Sequence, residues 1–179
     1  MQREIIESVL SGHDTLALMP TGGGKSLTFQ IPALALGGLT IVITPLIALM
    51  KDQVNNLQAK NIKAAAIYSG MENADIQKTF DNCIYGHYKF LYLSPERLST
   101  RLFLEKLPLL SVSLIAVDEA HCISQWGYDF RPSYREIAHL RQLLPGVPIL
   151  AVTATATPQV VYDIQRQLQF KHINVLRKS

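Results

Sequence analysis

The sequence predicts an α/β fold, a mostly parallel sheet with helices on both faces, and two observations carry that expectation. Six short apolar runs of strand character alternate with stretches of helical spacing, with no low-complexity linker between them. The residues that end five of those runs are a glycine-rich turn, Thr44-Pro45, Ser94-Pro95-Glu96, Asp118-Glu119 and Thr153-Ala154-Thr155. Ligands bind beyond the carboxyl ends of the strands in such sheets, so chemistry-bearing residues belong there.

Residues 1–7 are polar and amphipathic and lack the apolar segment of a signal peptide. The first strand expected, 15–19, runs into Met19-Pro20-Thr21-Gly22-Gly23-Gly24-Lys25-Ser26, and a helix-compatible run follows over 27–36. Strand, glycine-rich turn and helix make the context of a phosphate-binding loop. The glycines let backbone amides curl around an anion at a helix N-terminus. Lys25 is then placed to reach the β- and γ-phosphates and Ser26 to ligate magnesium. Met19 departs from the general pattern, which has glycine there. Three glycines alone would fit a flexible loop; Lys25, Ser26 and the following helix point to the phosphate site.

A second strand, 40–44, precedes Pro45, a residue suited to a first helical turn. Leu46, Leu49, Met50, Val54 and Leu57 then recur at helical spacing. Strands at 64–68 and 90–94 come next. The run Leu114-Ile115-Ala116-Val117 delivers Asp118 and Glu119 to the end of a buried strand. Carboxylates in that position suit a metal ion and a water. Within the next dozen residues lie His121, the single tryptophan Trp126, Tyr128, Phe130 and Arg131, which suit stacked bases and phosphates. Ile137, Leu140 and Leu144 mark a further helix ending at Pro145-Gly146, and the last expected strand is 149–153.

Composition bounds the rest. A chain of 179 residues with 48% hydrophobic content suits one domain spanning 1–179 with a full core. Its apolar runs are too short to span a membrane. The formal net charge of +3 permits nucleic-acid binding without demanding it. The two cysteines, Cys83 and Cys122, show no C-x-x-C spacing, and a reducing cytoplasmic compartment is expected. Cys122 reads as a small buried thiol, because adjacent side chains such as His121 and Cys122 rarely make a metal site. His13, His87, His139 and His172 read as surface or turn residues. Trp126 reads as an exposed sensor rather than a core anchor, since Gln125, Gly127 and Asp129 around it are not core-like.

The segments 19–26, 44–53, 92–98, 118–132 and 153–156 together resemble, in order, the first RecA-like motor domain of superfamily-two helicases, specifically RecQ-type ATP-dependent DNA helicases. The glutamine-tryptophan-glycine loop after the D-E-A-H box is the most specific of them. The resemblance implies a RecA-like P-loop domain that binds ATP and Mg2+. It makes Gln2 the adenine reader, with Met19, Pro20, Thr21, Gly22, Gly23, Gly24, Lys25 and Ser26 around the phosphates. It gives Asp118 the magnesium through water, Glu119 the attacking water, and His121 a relay from the γ-phosphate to the aromatic loop. Trp126, Phe130 and Arg131 would sense single-stranded DNA, Thr44, Lys51 and Ser94 would contact the backbone of the tracked strand, and Thr153 and Thr155 would couple hydrolysis to domain movement. Tyr128 stands where the family usually has histidine; it can still stack and donate a hydrogen bond.

The same resemblance implies a monomeric 3′-to-5′ motor acting at a single-strand/duplex junction, in DNA repair and recombination, in the cytoplasm or on nucleoid DNA. The chain is expected to be a piece of a longer protein, without the second motor domain in cis and without zinc-binding, winged-helix and HRDC regions. Alone it is expected to hydrolyse ATP very slowly. Two other readings stay open at this point: another P-loop phosphotransferase, and a non-catalytic DNA-binding or interaction fragment.

Overall fold

The computed structural model describes residues 1–20 and 22–177. It opens with helix α1 (Gln2–Leu10), strand β1 (Thr15–Leu18), α2 (Lys25–Ala35) and β2 (Leu39–Ile43). Then come α3 (Ile47–Ala59), β3 (Ala64–Ile67), α4 (Asn73–Tyr85), β4 (Phe90–Leu93) and α5 (Arg101–Lys106). The chain continues through β5 (Val112–Val117), α6 (Glu136–Leu143), β6 (Ile149–Thr153), α7 (Pro158–Gln167) and β7 (Val175–Arg177). Among the described residues the strands form one seven-stranded sheet in the order β3-β4-β2-β5-β6-β1-β7, with every pair parallel.

A parallel sheet covered on both faces needs strands that are apolar on both sides. Leu-Thr-Ile-Val-Ile of β2 is buried at all five positions, and alternate residues serve opposite layers. Ile41 and Ile43 pack with Phe80, Phe103, Ile137 and Ile164 from α4 to α7. Val42 packs with Ile5, Phe29, Met50 and Val54 from α1, α2 and α3. Helices thus cover both faces, as the alternation of patterns requires.

The strand ends fall close to expectation. β6 occupies the residues expected of it, whereas β1 to β5 each end one residue early, leaving Met19, Thr44, Tyr68, Ser94 and Asp118 just beyond the sheet. Two of these still extend the ladder: Thr44 N donates to Leu93 O at 3.2 Å and Asp118 N to Ile43 O at 2.9 Å. The side chains at strand ends are therefore positioned by the sheet itself.

β7 was not anticipated. Its approach to β1 is fixed by Asn174, whose Nδ2 donates to Ser8 Oγ and to Asp14 O, both at 2.9 Å. Asp14 in turn accepts from the amides of Ile149 and Lys171, each at 3.0 Å, and pairs with the buried Arg141 guanidinium. Arg141 also donates to Val147 O at 2.9 Å. This charged cluster ties α6, β6 and the start of β7 together at the end of the sheet opposite the phosphate loop. No helix among the described residues is long and apolar enough to cross a membrane.

Candidate active site

The glycine-rich loop leaves β1 and enters α2 at Lys25, with Gly24 as the N-cap in a left-handed conformation (φ 77°). A side chain there would be strained, and a Cβ would run into the Gln2 amide. Gln2 reaches the loop from α1, its Nε2 donating to Gly23 O at 3.0 Å. A cavity of about 280 Å³ lies beside this contact, lined by Met1, Gln2, Met19, Pro20 and Gly23. Met19 is itself buried, packed in the layer beneath α1 and α2. Thr21 lies outside the described residues. Ser26 Oγ accepts a hydrogen bond from Gln53 Nε2 of α3 at 3.1 Å.

Asp118 and Glu119 stand at the end of β5 opposite this loop. Glu119 has φ 50° and ψ 45°, a left-handed conformation that a non-glycine residue adopts only when held there. Two contacts hold it. Asp118 Oδ1 accepts from Glu119 N at 2.9 Å, and Tyr134 Oη donates to Asp118 O at 2.8 Å. The turned backbone sends the Glu119 carboxylate toward two partners. Lys25 Nζ lies 3.7 Å from Oε1, and His121 Nδ1 lies 3.4 Å from Oε2.

Burial, and then the negative charge of Glu119, push the Asp118 carboxyl from its ordinary 3.8 up to about 6. His121 is moved the other way. Burial lowers it, and this outweighs the pull of Glu119 and Asp129 toward protonation. The His121–Glu119 approach at 3.4 Å is therefore a polar contact that burial keeps from gaining strength as an ion pair. His121 Nδ1 also lies 2.8 Å from Thr153 Oγ1 at the end of β6, a hydrogen bond in which either the imidazole or the hydroxyl can donate.

The His121 ring continues the line outward. Tyr128 stacks on it with centroids 4.6 Å apart and planes 17° from parallel. The intervening chain turns tightly at Gly127, where a Cβ would meet His121 O at 2.9 Å. Trp126 is 64% exposed and Tyr128 78%, so the tryptophan is not a core anchor. Phe130 differs: it is half-buried, with the Arg135 guanidinium 5.2 Å over its ring. Arg131 is held by Asp129 at 3.3 and 3.4 Å. The aromatic faces presented to solvent are thus Trp126 and Tyr128.

The expected backbone contacts do not share one environment. Lys51 is exposed, with its ammonium 4.6 Å over the Tyr68 ring. The hydroxyls of Thr44 and Ser94 are buried and make no hydrogen bond, so neither is presented to a strand lying on the surface. Thr155 is exposed in the loop after β6, but the N-cap of α7 is Thr157, whose Oγ1 accepts from Val160 N at 3.3 Å. The cap of α7 is thus the residue directly before Pro158, and Thr155 does not serve as one. His13, His87, His139 and His172 are all exposed, and both cysteine thiols are buried.

Three positioning residues escaped the sequence reading. Gln53 lies within the segment 44–53, and its place three residues after Met50 was the only signal. Tyr134 lies just past Pro132, and Asp129 was noted only as a neighbour of Trp126.

Comparison with known proteins adds a family to this geometry. The model of the DEAD/DEAH box helicase family matches residues 1–164. The ATP-dependent DNA helicase RecQ of Bacillus subtilis is 51% identical over 177 residues, covering 98% of this chain and 30% of that protein. RecQ of Haemophilus influenzae is 47% identical over 173 residues, covering 97% of this chain and 28% of that protein. The chain therefore spans less than a third of the length of these relatives. In structure, the helicase domain of Hef from Pyrococcus furiosus matches with a TM-score of 0.73 at 21% identity, covering 98% of this chain and 37% of that one. That likeness is one of fold.

Proposed function

The chain belongs to the DEAD/DEAH box helicase family, and from that premise we propose that it is the nucleotide-binding half of a RecQ-type, ATP-driven DNA helicase. One observation carries the reading furthest: the unbroken line of contacts from Lys25 through Glu119 and His121 to Tyr128, with Thr153 attached at His121. A phosphate-loop lysine at one end and exposed aromatics at the other make a path by which nucleotide and single-stranded DNA can influence each other.

In this reading Gln2 and the cavity beside it take the adenine, and the loop 19–26 takes the phosphates. Lys25 cannot give its full charge to Glu119 and to a γ-phosphate at once. Nucleotide therefore draws Lys25 from Glu119, leaving that carboxylate to accept a proton from the water that attacks the γ-phosphorus. The bond from that phosphorus to the β–γ bridging oxygen breaks, and ADP and phosphate result. His121, neutral, keeps the second carboxylate oxygen of Glu119 in place while it passes any shift to Tyr128 by stacking and to Thr153 by hydrogen bonding.

The donor set suits Mg2+. Asp118 and Ser26 offer hard oxygen ligands, and no cation forms a salt bridge with Asp118 among the described residues. When bound, the ion would neutralise charge on the phosphoryl oxygens. Trp126 and Tyr128 take bases by stacking, with Arg131 and Lys51 near the phosphate backbone. The whole motor would act at a single-strand/duplex junction, on DNA in the cytoplasm or nucleoid, with a second RecA-like domain in cis. That domain would bring an arginine to the γ-phosphate, worth on the order of a thousandfold in rate.

The test uses the chain itself. A fluorescent ATP analogue should bind it weakly and Lys25→Ala should reduce that affinity by roughly tenfold to a hundredfold, the scale of one charge-assisted contact. Steady-state turnover should be very slow with or without single-stranded DNA. Equal binding by Lys25→Ala would overturn the site, and fast DNA-stimulated turnover by the chain alone would overturn the division between two domains.

A further inference from the structure

We propose that His121, Cys122 and Asp129 form a binding site for a thiophilic divalent transition ion of the zinc type, set inside the loop that joins the carboxylates to the exposed aromatics. Adjacency in sequence argues against His121 and Cys122 as a pair, but the fold supplies a third ligand. The turn at Gly127 brings Asp129 back onto Cys122. Cys122 Sγ lies 3.6 Å from His121 Nε2 and 3.8 Å from Asp129 Oδ2, and the ligand atoms all lie within 4.8 Å of one another.

The two separations from Cys122 Sγ are close to the edges of a zinc tetrahedron. Zinc–sulfur bonds of about 2.3 Å and zinc–nitrogen or zinc–oxygen bonds of about 2.0–2.2 Å put the ligand atoms roughly 3.5 Å apart at tetrahedral angles. Small movements suffice, and Asp129, 44% exposed, makes them by exchanging its pairing with Arg131 for the ion. His121 is also oriented for the task. Its Nδ1 faces Thr153 Oγ1 and Glu119, and Nε2 faces Cys122 Sγ, so the proton held on Nδ1 would leave the Nε2 lone pair directed at the site. A metal-ligating histidine has this arrangement, its other nitrogen held by a carboxylate or hydroxyl.

Charge fits as well. Of the three ligands only His121 lines the neighbouring cavity of about 390 Å³, so the ion enters from the exposed side at Asp129. On binding, the Sγ–H proton of Cys122 leaves to solvent as the sulfur–metal bond forms, and water completes the fourth position. One thiolate and one carboxylate then match the charge of a dication, beside the Arg131 that now pairs with Asp129. A sulfur–imidazole set selects zinc-like ions over magnesium, so the site does not compete for the ion of the nucleotide site. The consequence for turnover rests on the proposed transmission through His121 and Tyr128. An ion tying Asp129 to His121 would fix the aromatic loop and slow DNA-stimulated hydrolysis in the full-length enzyme.

Cobalt(II) serves as a spectroscopic probe for the chain, with Zn2+ as competitor. We expect one ion per chain, a thiolate-to-cobalt charge-transfer band, intense tetrahedral visible absorption, and loss of both on adding Zn2+. Cys122→Ser and Asp129→Asn should weaken binding by about tenfold or more, and Cys83→Ser should leave it unchanged. Absence of the charge-transfer band in the unaltered chain overturns the site and needs no variant to fold. Full affinity in Cys122→Ser or in the half-exposed Asp129→Asn overturns it too. The titration uses neither nucleotide nor DNA, so failure of the helicase reading leaves it intact. A bound ion without effect on DNA-stimulated turnover of the full-length enzyme overturns the regulatory consequence alone.

Discussion

Replacing Asp118 by asparagine should make the free protein more stable, and the structure sets both size and sign. Burial, and then the charge of Glu119, raise the Asp118 carboxyl from 3.8 to about 6. The folded state therefore binds that proton more tightly than the unfolded state does. Stability from this group is complete below pH ~4 and is lost as pH rises through ~6. Roughly two pH units at about 1.4 kcal/mol each give on the order of 3 kcal/mol as the cost of carrying the carboxylate at neutral pH. Asparagine is close in shape to the protonated acid, and its oxygen can still accept from Glu119 N. Urea unfolding should therefore show Asp118→Asn more stable than the unaltered chain by roughly 2–3 kcal/mol at pH 8, with the difference shrinking as pH falls toward 5. Equal or lower stability of the variant at pH 8, with an unchanged denaturant slope, would refute the reasoning. The protein would on this account be carrying a destabilising charge where the proposed mechanism needs a ligand.

Two further outcomes follow from exposure and charge. Trp126→Ala should weaken single-stranded DNA binding by about 1–3 kcal/mol in fluorescence anisotropy, the scale of one base–aromatic stack. Its unfolding midpoint should move little, because the side chain is largely exposed. Arg141→Ala should destabilise the fold by about 3–5 kcal/mol in chemical denaturation, since it leaves the buried Asp14 carboxylate without its partner. Nucleotide affinity of the folded variant should be retained, because that cluster lies at the opposite end of the sheet from the phosphate loop.

What could be read from the sequence was whatever repeats with a fixed period or sits at a fixed offset. Strands buried on both faces are continuous apolar runs, so β2 and β5 were legible, and the phosphate loop follows from strand, glycines, Lys25 and helix. β7 was not, because three residues held through Asn174 and a hydrogen-bonded Asp14 make no periodic signal. The same distinction divides the site. Asp118 and Glu119 were placed correctly at a strand end, but a pair of adjacent residues on an extended strand would point to opposite faces. Both can serve one site only because the chain leaves β5 in a left-handed turn at Glu119, and no residue type in the sequence announces that conformation. The contacts that hold the turn come from Asp118 itself and from Tyr134, sixteen residues from Asp118. That turn gives Glu119 its two neighbours, Lys25 and His121, and so joins the phosphate loop to the aromatic loop. Released from it, Asp118 and Glu119 would still sit side by side in sequence, while the path from Lys25 to Tyr128 would be broken at its second member.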